Sequence, residues 1–225
     1  VGQDVYDNEV DLEGVALVFA DTASSLSGAQ CAHGGFGPYQ LCEMVFEGAV
    51  DETELQVSAL GINTALGDYE VVANAPSQLL VGALGSPLVA GALFEMEVTL
   101  TDAWGNLVDV DGNQTPFTVS DGGFGTLSCS WLGSQAMGVH VLSCAETTAS
   151  EHIQFNVAVE ALSLQGSSDI VSVVNGALDA VVIIASDQTL IAGEAFDLEL
   201  GAVDAYGNPY TVQTNPNLSL EDSAG

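Results

Sequence analysis

The sequence predicts an all-β protein made of tandem β-sandwiches with antiparallel sheets. Apolar and polar residues alternate over strand-length stretches, turn-forming residues return about every eight to twelve positions, and one segment is written twice. Alternation with a period of two is typical of strands that bury one face, and helical periodicity is absent throughout. With 48% apolar residues, the 225-residue chain can bury a substantial core.

The duplicated segment is the strongest sign of a repeat architecture. Residues 90–106, AGALFEMEVTLTDAWGN, align without a gap with residues 192–208, AGEAFDLELGAVDAYGN. In the first copy, one face of the predicted strand is apolar and the other polar: Phe94, Met96, Val98 and Leu100 against Glu95, Glu97, Thr99 and Thr101. This pattern predicts a strand with one buried and one exposed face.

A weaker third copy stands at the beginning of the chain. Its matching residues are Asp4, Tyr6, Asn8 and Val10 against Asp102, Trp104, Asn106 and Val108, and further on Cys31 falls on Cys129. The repeat is therefore about 100 residues long, the size of a β-sandwich domain. We expect residues 1–74 to be the later part of a first repeat, residues 75–174 a complete repeat, and residues 175–225 the opening strands of a third. We interpret the chain as a window of a longer array, or as a subunit that its neighbours complete.

Each duplicated segment ends in a turn with the pattern Asp-x-aromatic-Gly-Asn. Glycine adopts positive φ without steric cost, so Gly105 and Gly207 are expected to make the sharp bend. Asp102 is expected to accept hydrogen bonds from backbone N–H groups of the turn, and the aromatic residue (Trp104 or Tyr206) is expected to cap the core. We therefore assign the turn a structural role rather than a binding role.

Residues 192–211, AGEAFDLELGAVDAYGNPYT, resemble the opening strands of bacterial immunoglobulin-like repeats, as found in invasin- and intimin-type adhesins and other giant surface proteins. The resemblance implies immunoglobulin-like sandwiches at the bacterial cell surface that form a stalk, a surface fibre or a filament subunit. The implied partners are neighbouring repeats, copies of the chain joined head to tail by strand addition, and surface glycans or surface proteins of a host or prey cell. A cysteine pair is not a general feature of those repeats.

The charge balance excludes several classes of function. The chain has 31 acidic residues and no lysine or arginine, which gives a net charge of −31. Nucleic-acid binding needs basic side chains to neutralise phosphates, and an anionic membrane surface would repel the chain. A lysine Schiff base and an arginine phosphate clamp are impossible. The charge favours either solubility in a salty medium or a charge-specific partner.

Four cysteines form two local pairs, Cys31 with Cys42 and Cys129 with Cys144. Each pair flanks a glycine-bearing, hairpin-like loop, so we predict two disulfides and an extracellular location. Closing loops of this length contributes about 2–3 kcal/mol of stability in the chain-entropy model. The alternative is zinc, because His33 and His140 lie inside the pairs, but each loop offers three ligands where structural zinc takes four. His152 alternates with Ile153 and is expected on an exposed strand face.

The stretch DVDGN, residues 109–113, resembles the start of a calcium-binding loop. Asp109, Asp111 and Asn113 would be the calcium ligands. The loop lacks the distal glutamate of an EF-hand, so a plain polar turn is the other interpretation. Calcium is the one cofactor that the sequence suggests, since so anionic a surface needs counterions.

The sequence predicts no enzyme. It has no Gly-x-Ser-x-Gly elbow and no histidine-rich metal cluster. The alternative to a structural or adhesive repeat segment is a carbohydrate-binding β-sandwich module of a secreted protein. Trp131 and Phe36, which lie in the two cysteine loops, are the candidate residues for stacking against a sugar ring, with Trp104 and Tyr39 as further aromatics.

Overall fold

The computed structural model describes residues 2–3, 6, 9–10, 15–33, 40–111, 116–123, 125–184, 189, 195 and 197–211. These residues form β-strands, turns and a single turn of 3₁₀ helix at Glu160–Leu162. Within the described ranges, no helix is long and apolar enough to cross a membrane. The chain divides into two compact units, residues 1–77 with 100–108, and residues 78–99 with 109–225.

The first unit contains two antiparallel hairpins and a three-stranded antiparallel sheet. The short strands β1 and β2 pair with each other, β4 pairs with β5, and the sheet has the order β3-β6-β7. Leu60 and Gly61, between β6 and β7, both have positive φ, as the tight turn of a hairpin requires. The strands are β1 (Gly2–Gln3), β2 (Glu9–Val10), β3 (Val18–Asp21), β4 (Leu26–His33), β5 (Gln40–Phe46), β6 (Val50–Ala59) and β7 (Ile62–Val71).

The second unit contains four sheets, with strand orders β12-β13-β10-β8, β11-β15-β16, β14-β17-β9 and β18-β19. The pair β9 with β17 is parallel, and the antiparallel pairs are β10–β13, β11–β15, β12–β13, β14–β17, β15–β16 and β18–β19. The strands are β8 (Gln78–Val81), β9 (Leu88–Val89), β10 (Leu93–Thr101, whose last two residues belong to the first unit), β11 (Thr118–Ser120), β12 (Ser128–Ala136), β13 (Val139–Ala145), β14 (Ser150–Ile153), β15 (Asn156–Val159), β16 (Leu164–Ser167), β17 (Val171–Val174), β18 (Leu178–Ile183) and β19 (Leu200–Asp204).

The core of the second unit lies between sheets that turn their apolar faces toward each other. The rings of Phe94 on β10 and Phe155 before β15 pack with their centroids 5.3 Å apart. Burial of one such large apolar side chain stabilises a fold by about 1.5–3 kcal/mol. The fully buried apolar residues of this core are Met96, Val98, Leu142, Cys144, Ile153, Phe155, Val157 and Val159.

The predicted strand pattern of residues 93–101 is confirmed. Met96 and Val98 are completely buried, whereas Glu95 and Glu97 are exposed. Thr101 departs from the pattern, because it is buried at the end of β10 just before the turn. The fold class, all-β with antiparallel sheets packed as a β-sandwich, is therefore confirmed. The boundaries of the three predicted repeats stay a prediction.

Candidate functional site

The Asp-x-aromatic-Gly-Asn turn after β10 is organised around the carboxylate of Asp102. Its Oδ1 accepts hydrogen bonds from the backbone N–H groups of Trp104 (2.9 Å) and Asn106 (3.0 Å). Its Oδ2 accepts from the backbone N–H of Asn74 (3.1 Å), which lies 28 residues earlier in the chain. The prediction that this aspartate binds the turn is confirmed, and it also binds a second segment.

Asn106 extends the network to a third segment. Its side-chain Nδ2 donates to Asp102 Oδ2 (2.9 Å) and to the backbone oxygen of Glu47 (2.6 Å), and its Oδ1 accepts from the N–H of Ala49 (2.8 Å). All four side-chain oxygen and nitrogen atoms of Asp102 and Asn106 thus have partners. We call this arrangement the first clamp: Asp102 and Asn106 together with the backbone of residues 47–49 and 74.

The turn after β19 forms a second clamp with the same bonds. Asp204 replaces Asp102, Asn208 replaces Asn106, Gly176 replaces Asn74, and residues 147–149 replace residues 47–49. The hydrogen bonds are Tyr206 N and Asn208 N to Asp204 Oδ1 (2.9 Å each), Gly176 N and Asn208 Nδ2 to Asp204 Oδ2 (2.8 Å each), Asn208 Nδ2 to Thr147 O (2.8 Å) and Ala149 N to Asn208 Oδ1 (2.9 Å). The two clamps therefore match bond for bond. Asp4 and Asn8 of the weaker first copy, which correspond to Asp102 and Asn106, lie outside the described residues.

The clamp aspartates stay ionised down to acid pH. Burial raises the pKa of Asp102, but hydrogen bonds from the Asn106 side chain and from three backbone N–H groups outweigh it and lower the pKa to about 2. The same balance lowers the pKa of Asp204 to about 2. Each clamp therefore contains a buried negative charge, which is stabilised by hydrogen bonds from the protein rather than by water.

The tip of each turn is exposed. Gly105 (φ +89°) and Gly207 (φ +84°) adopt the left-handed conformation, as predicted. The prediction that the neighbouring aromatic residue caps the core is wrong, since Trp104 and Tyr206 are about half exposed. They lie at the exposed tip of the turn. The ring of Tyr206 covers Gly91, where it leaves no room for a side chain.

The structure contains the disulfides Cys31–Cys42 and Cys129–Cys144. In both, the cysteines are directly opposite on antiparallel strands, β4 with β5 and β12 with β13. Because their sulfurs are bonded to each other, these cysteines are not thiolate ligands of zinc. His152 lies exposed beside the fully buried Ile153, as the alternation predicts.

The candidate calcium loop lies beside a buried histidine. Oδ1 of Asp109 is 3.9 Å from Nε2 of His140, whose Nδ1 is 3.1 Å from Oγ of Ser134. Burial lowers the pKa of His140, and the charge of Asp109 opposes that shift only in part. Asp111 is exposed, and Asn113 lies outside the described residues. Among the residues that the structure describes, no three His, Cys, Asp or Glu side chains come together as metal ligands, so calcium stays a prediction.

Of the two candidate stacking residues, only Trp131 belongs to the described part of the chain. Trp131 lies half-buried on β12, opposite Leu142, and its indole N–H is buried without a hydrogen-bond partner in the described structure. Phe36 and Tyr39 lie outside the described residues. The structure therefore describes no platform of two or three exposed aromatic rings on one face.

Sequence reasoning missed a second pair of equivalent aspartates, at the ends of β3 and β11. Asp21 is held by Ser25, Leu26 and Thr53, and Asp121 by Gly123 and Gly125. Burial raises the pKa of Asp21, but these hydrogen bonds outweigh it and lower the pKa to about 2. Asp21 and Asp121 are 100 residues apart, about the length of one repeat, and this spacing could have identified them in the sequence. No local motif surrounds either residue.

No protein-family model matches this chain, and neither does any curated protein. Among solved structures, the chain is similar to domains 4–9 of the surface layer protein SbsC, with 18% identity and a TM-score of 0.36 over 93% of this chain. It spans 31% of that structure's length. Domains 4 and 5 of the S-layer protein SbsC match 77% of this chain and 78% of theirs, with 16% identity and a TM-score of 0.35. These likenesses carry no argument about function.

Proposed function

We propose that this chain is a structural or adhesive segment of an extracellular bacterial protein of tandem immunoglobulin-like repeats, working as part of a stalk, surface fibre or filament. The observation that carries the proposal is the pair of clamps. Two turns 102 residues apart make the same hydrogen bonds to the same kinds of partner, as expected when a chain repeats a mechanical connection.

In such an array, the clamps would connect each repeat to the next. With the predicted boundaries, Asp102 and Asn106 lie in the second repeat, while residues 47–49 and 74 lie in the first. Asn208 of the third repeat holds residues 147–149 of the second in the same way. Each clamp then fastens the opening turn of one repeat to a loop of the repeat before it, and so transmits tension along the chain.

Disulfides and charge agree with an extracellular site. Disulfides persist in oxidising compartments, and here each one joins two neighbouring strands. A chain with 31 acidic residues and no lysine or arginine stays soluble in a salty medium, where ions screen its self-repulsion.

Single-molecule pulling from the two ends of the chain tests the mechanical role. We expect the Asn106→Ala and Asn208→Ala double variant to unfold at lower force than the natural chain, because each substitution removes side-chain bonds to two other segments. Asn63→Ala, an exposed asparagine on β7, is the matched control. Equal unfolding forces for the double variant and the control would contradict the proposal.

A glycan array separates the structural role from the carbohydrate-binding alternative. The structural role predicts no reproducible glycan binding. Binding that Trp131→Ala abolishes, while Asn63→Ala leaves it intact, would favour the carbohydrate-binding module instead.

A further inference from the structure

Two carboxyl groups are buried side by side in the second unit, Asp121 after β11 and Glu146 after β13. They are 5% and 1% exposed. Both flank Gly125: its N–H donates to Asp121 Oδ2 (2.9 Å), and a Cβ at this glycine would lie 2.5 Å from Glu146 Oε1. The two side chains are within hydrogen-bonding reach of each other. Two ionised carboxylates cannot form that bond, because neither has a proton to donate.

The equivalent position in the first unit shows which donor Asp121 lacks. Asp21 accepts hydrogen bonds from two hydroxyl groups, Oγ of Ser25 (2.6 Å) and Oγ1 of Thr53 (3.2 Å), in addition to backbone N–H groups. At the position of Ser25, 100 residues later, stands Gly125, which has no hydroxyl. Asp121 is therefore left with the N–H groups of Gly123 and Gly125.

Glu146 also lacks a hydrogen-bond partner within the described residues, at one of its two carboxyl oxygens. Its Oε1 accepts from the N–H of Thr148 (2.8 Å), but its Oε2 is buried without a hydrogen-bond partner in the described part of the chain. A buried carboxylate oxygen with no partner is costly, and with no lysine or arginine in the sequence no ammonium or guanidinium cation can pair with it. A protonated Oε2 removes the charge and becomes the missing donor.

We propose that Asp121 and Glu146 share one proton in the folded protein, with the O–H of Glu146 Oε2 donating to the carboxylate of Asp121. The pair is then a pH-sensitive element of the second unit. A metal cation fits less well in its place, because the N–H groups of Gly123, Gly125 and Thr148 all point at these carboxyls and would repel it.

The direction of the pH effect follows from the two groups. Burial, and then the hydrogen bond and charge of Asp121, raise the pKa of Glu146. Stability from this proton is therefore present at low pH and is lost as pH rises through the raised pKa of Glu146. Burial acts on Asp121 too, but its hydrogen bonds outweigh it and lower its pKa. The other charged or titratable groups on the segments around the pair are His140, Glu151 and Asp204.

Urea unfolding of the full chain between about pH 4 and pH 9 tests the proposal. Glu146→Gln keeps a donor and cannot ionise, so it should lose the pH dependence that the natural chain shows on the alkaline side. One proton difference changes the unfolding equilibrium constant by up to about tenfold per pH unit. Glu160→Gln makes the same substitution at an exposed glutamate in the 3₁₀ helix and should keep that dependence. Parallel profiles for the natural chain and Glu146→Gln would overturn the proposal.

Infrared spectroscopy provides a readout that a purely structural role would not move. The natural chain should show the C=O absorption of a buried protonated carboxyl at neutral pH, and Glu146→Gln should lack it. Asp121→Asn removes the neighbouring negative charge, so this absorption should disappear at a lower pH than in the natural chain. A neutral-pH spectrum without the absorption would overturn the proposal. So would calcium that stabilises the natural chain but not Glu146→Gln, because a cation would then hold the pair together.

Discussion

Asp102 illustrates at the residue scale how a chain without basic side chains holds a buried charge. Four hydrogen bonds, three from backbone N–H groups and one from the amide of Asn106, surround a carboxylate that is 1% exposed. Hydrogen bonds to an ionised acceptor are stronger than neutral ones, which is why they outweigh the cost of burial. The second clamp repeats this solution at Asp204.

Asp102→Asn should therefore destabilise the protein in a pH-dependent way. A pKa lowered from 3.8 to about 2 corresponds to roughly 2–3 kcal/mol of stability, present above the unfolded pKa and lost as pH falls through about 2. Chemical denaturation should show the full difference at neutral pH and a shrinking one on acidification. Asp51→Asn, an exposed aspartate on β6, is the control. A difference that does not change with pH would contradict this explanation.

Glycine at the clamp turns gives a second prediction at the same scale. Gly105→Ala should cost about 1–2 kcal/mol, because alanine pays that much to adopt a left-handed conformation. A methyl group at Gly105 would meet no atom within 4 Å, so the cost would come from the backbone alone. Gly28→Ala meets equally open space without a positive φ and should cost less. If thermal unfolding shows that Gly105→Ala and Gly28→Ala lose the same amount of stability, the positive φ of Gly105 is not the cause.

At the element scale, each disulfide crosslinks two directly opposed strand residues and so fixes the register of its hairpin. Cys129 faces Cys144 across β12 and β13, and Cys31 faces Cys42 across β4 and β5. A slip of the register by one residue would turn each side chain to the opposite face of its sheet. The disulfide therefore holds the hairpin in the register that places Leu142 of β13 in the buried core.

Replacing Cys129 by Ser together with Cys144 by Ala should lower the free energy of unfolding by about 3 kcal/mol, the chain-entropy value for a 15-residue loop. Differential scanning calorimetry would measure the loss. Reducing agent should destabilise the natural chain further than the double variant, because it also opens Cys31–Cys42. If reduction changes neither protein, the disulfides do not contribute to stability.

The whole molecule is dominated by its charge. The chain has 31 aspartate and glutamate residues and no lysine or arginine, so compaction brings like charges together. Salt shortens the distance over which they repel, to about 10 Å at 0.1 M ionic strength.

Added sodium chloride should consequently raise the melting temperature at constant pH, in contrast to proteins that depend on surface ion pairs. Potassium chloride at equal ionic strength is the control for an effect of the particular cation. Circular dichroism during thermal unfolding would measure the melting temperature. A melting temperature that falls with added salt would contradict the claim that charge repulsion limits the stability of the fold.

The sequence by itself determined the fold class, the strand of residues 93–101 and the glycine turn that follows it. Alternation predicted the buried face of β10, and Gly105 was recognised as a left-handed turn residue, because both depend on neighbours within a few positions. The same locality made the opposed cysteines recognisable, since each pair closes a short loop.

Only the tertiary structure decided what these local features touch. Asn106 binds residues 57 and 59 positions away, and no local pattern marks those partners, since they offer backbone atoms that every residue has. Trp104 was expected at the core but lies at an exposed tip, because the direction of a turn depends on the segments that hold it. The contact between Glu146 and Asp121 was missed for the same reason. Two carboxyls that are distant in sequence become buried together only when the sheets pack, and the alternation of residues along one strand does not predict such a contact.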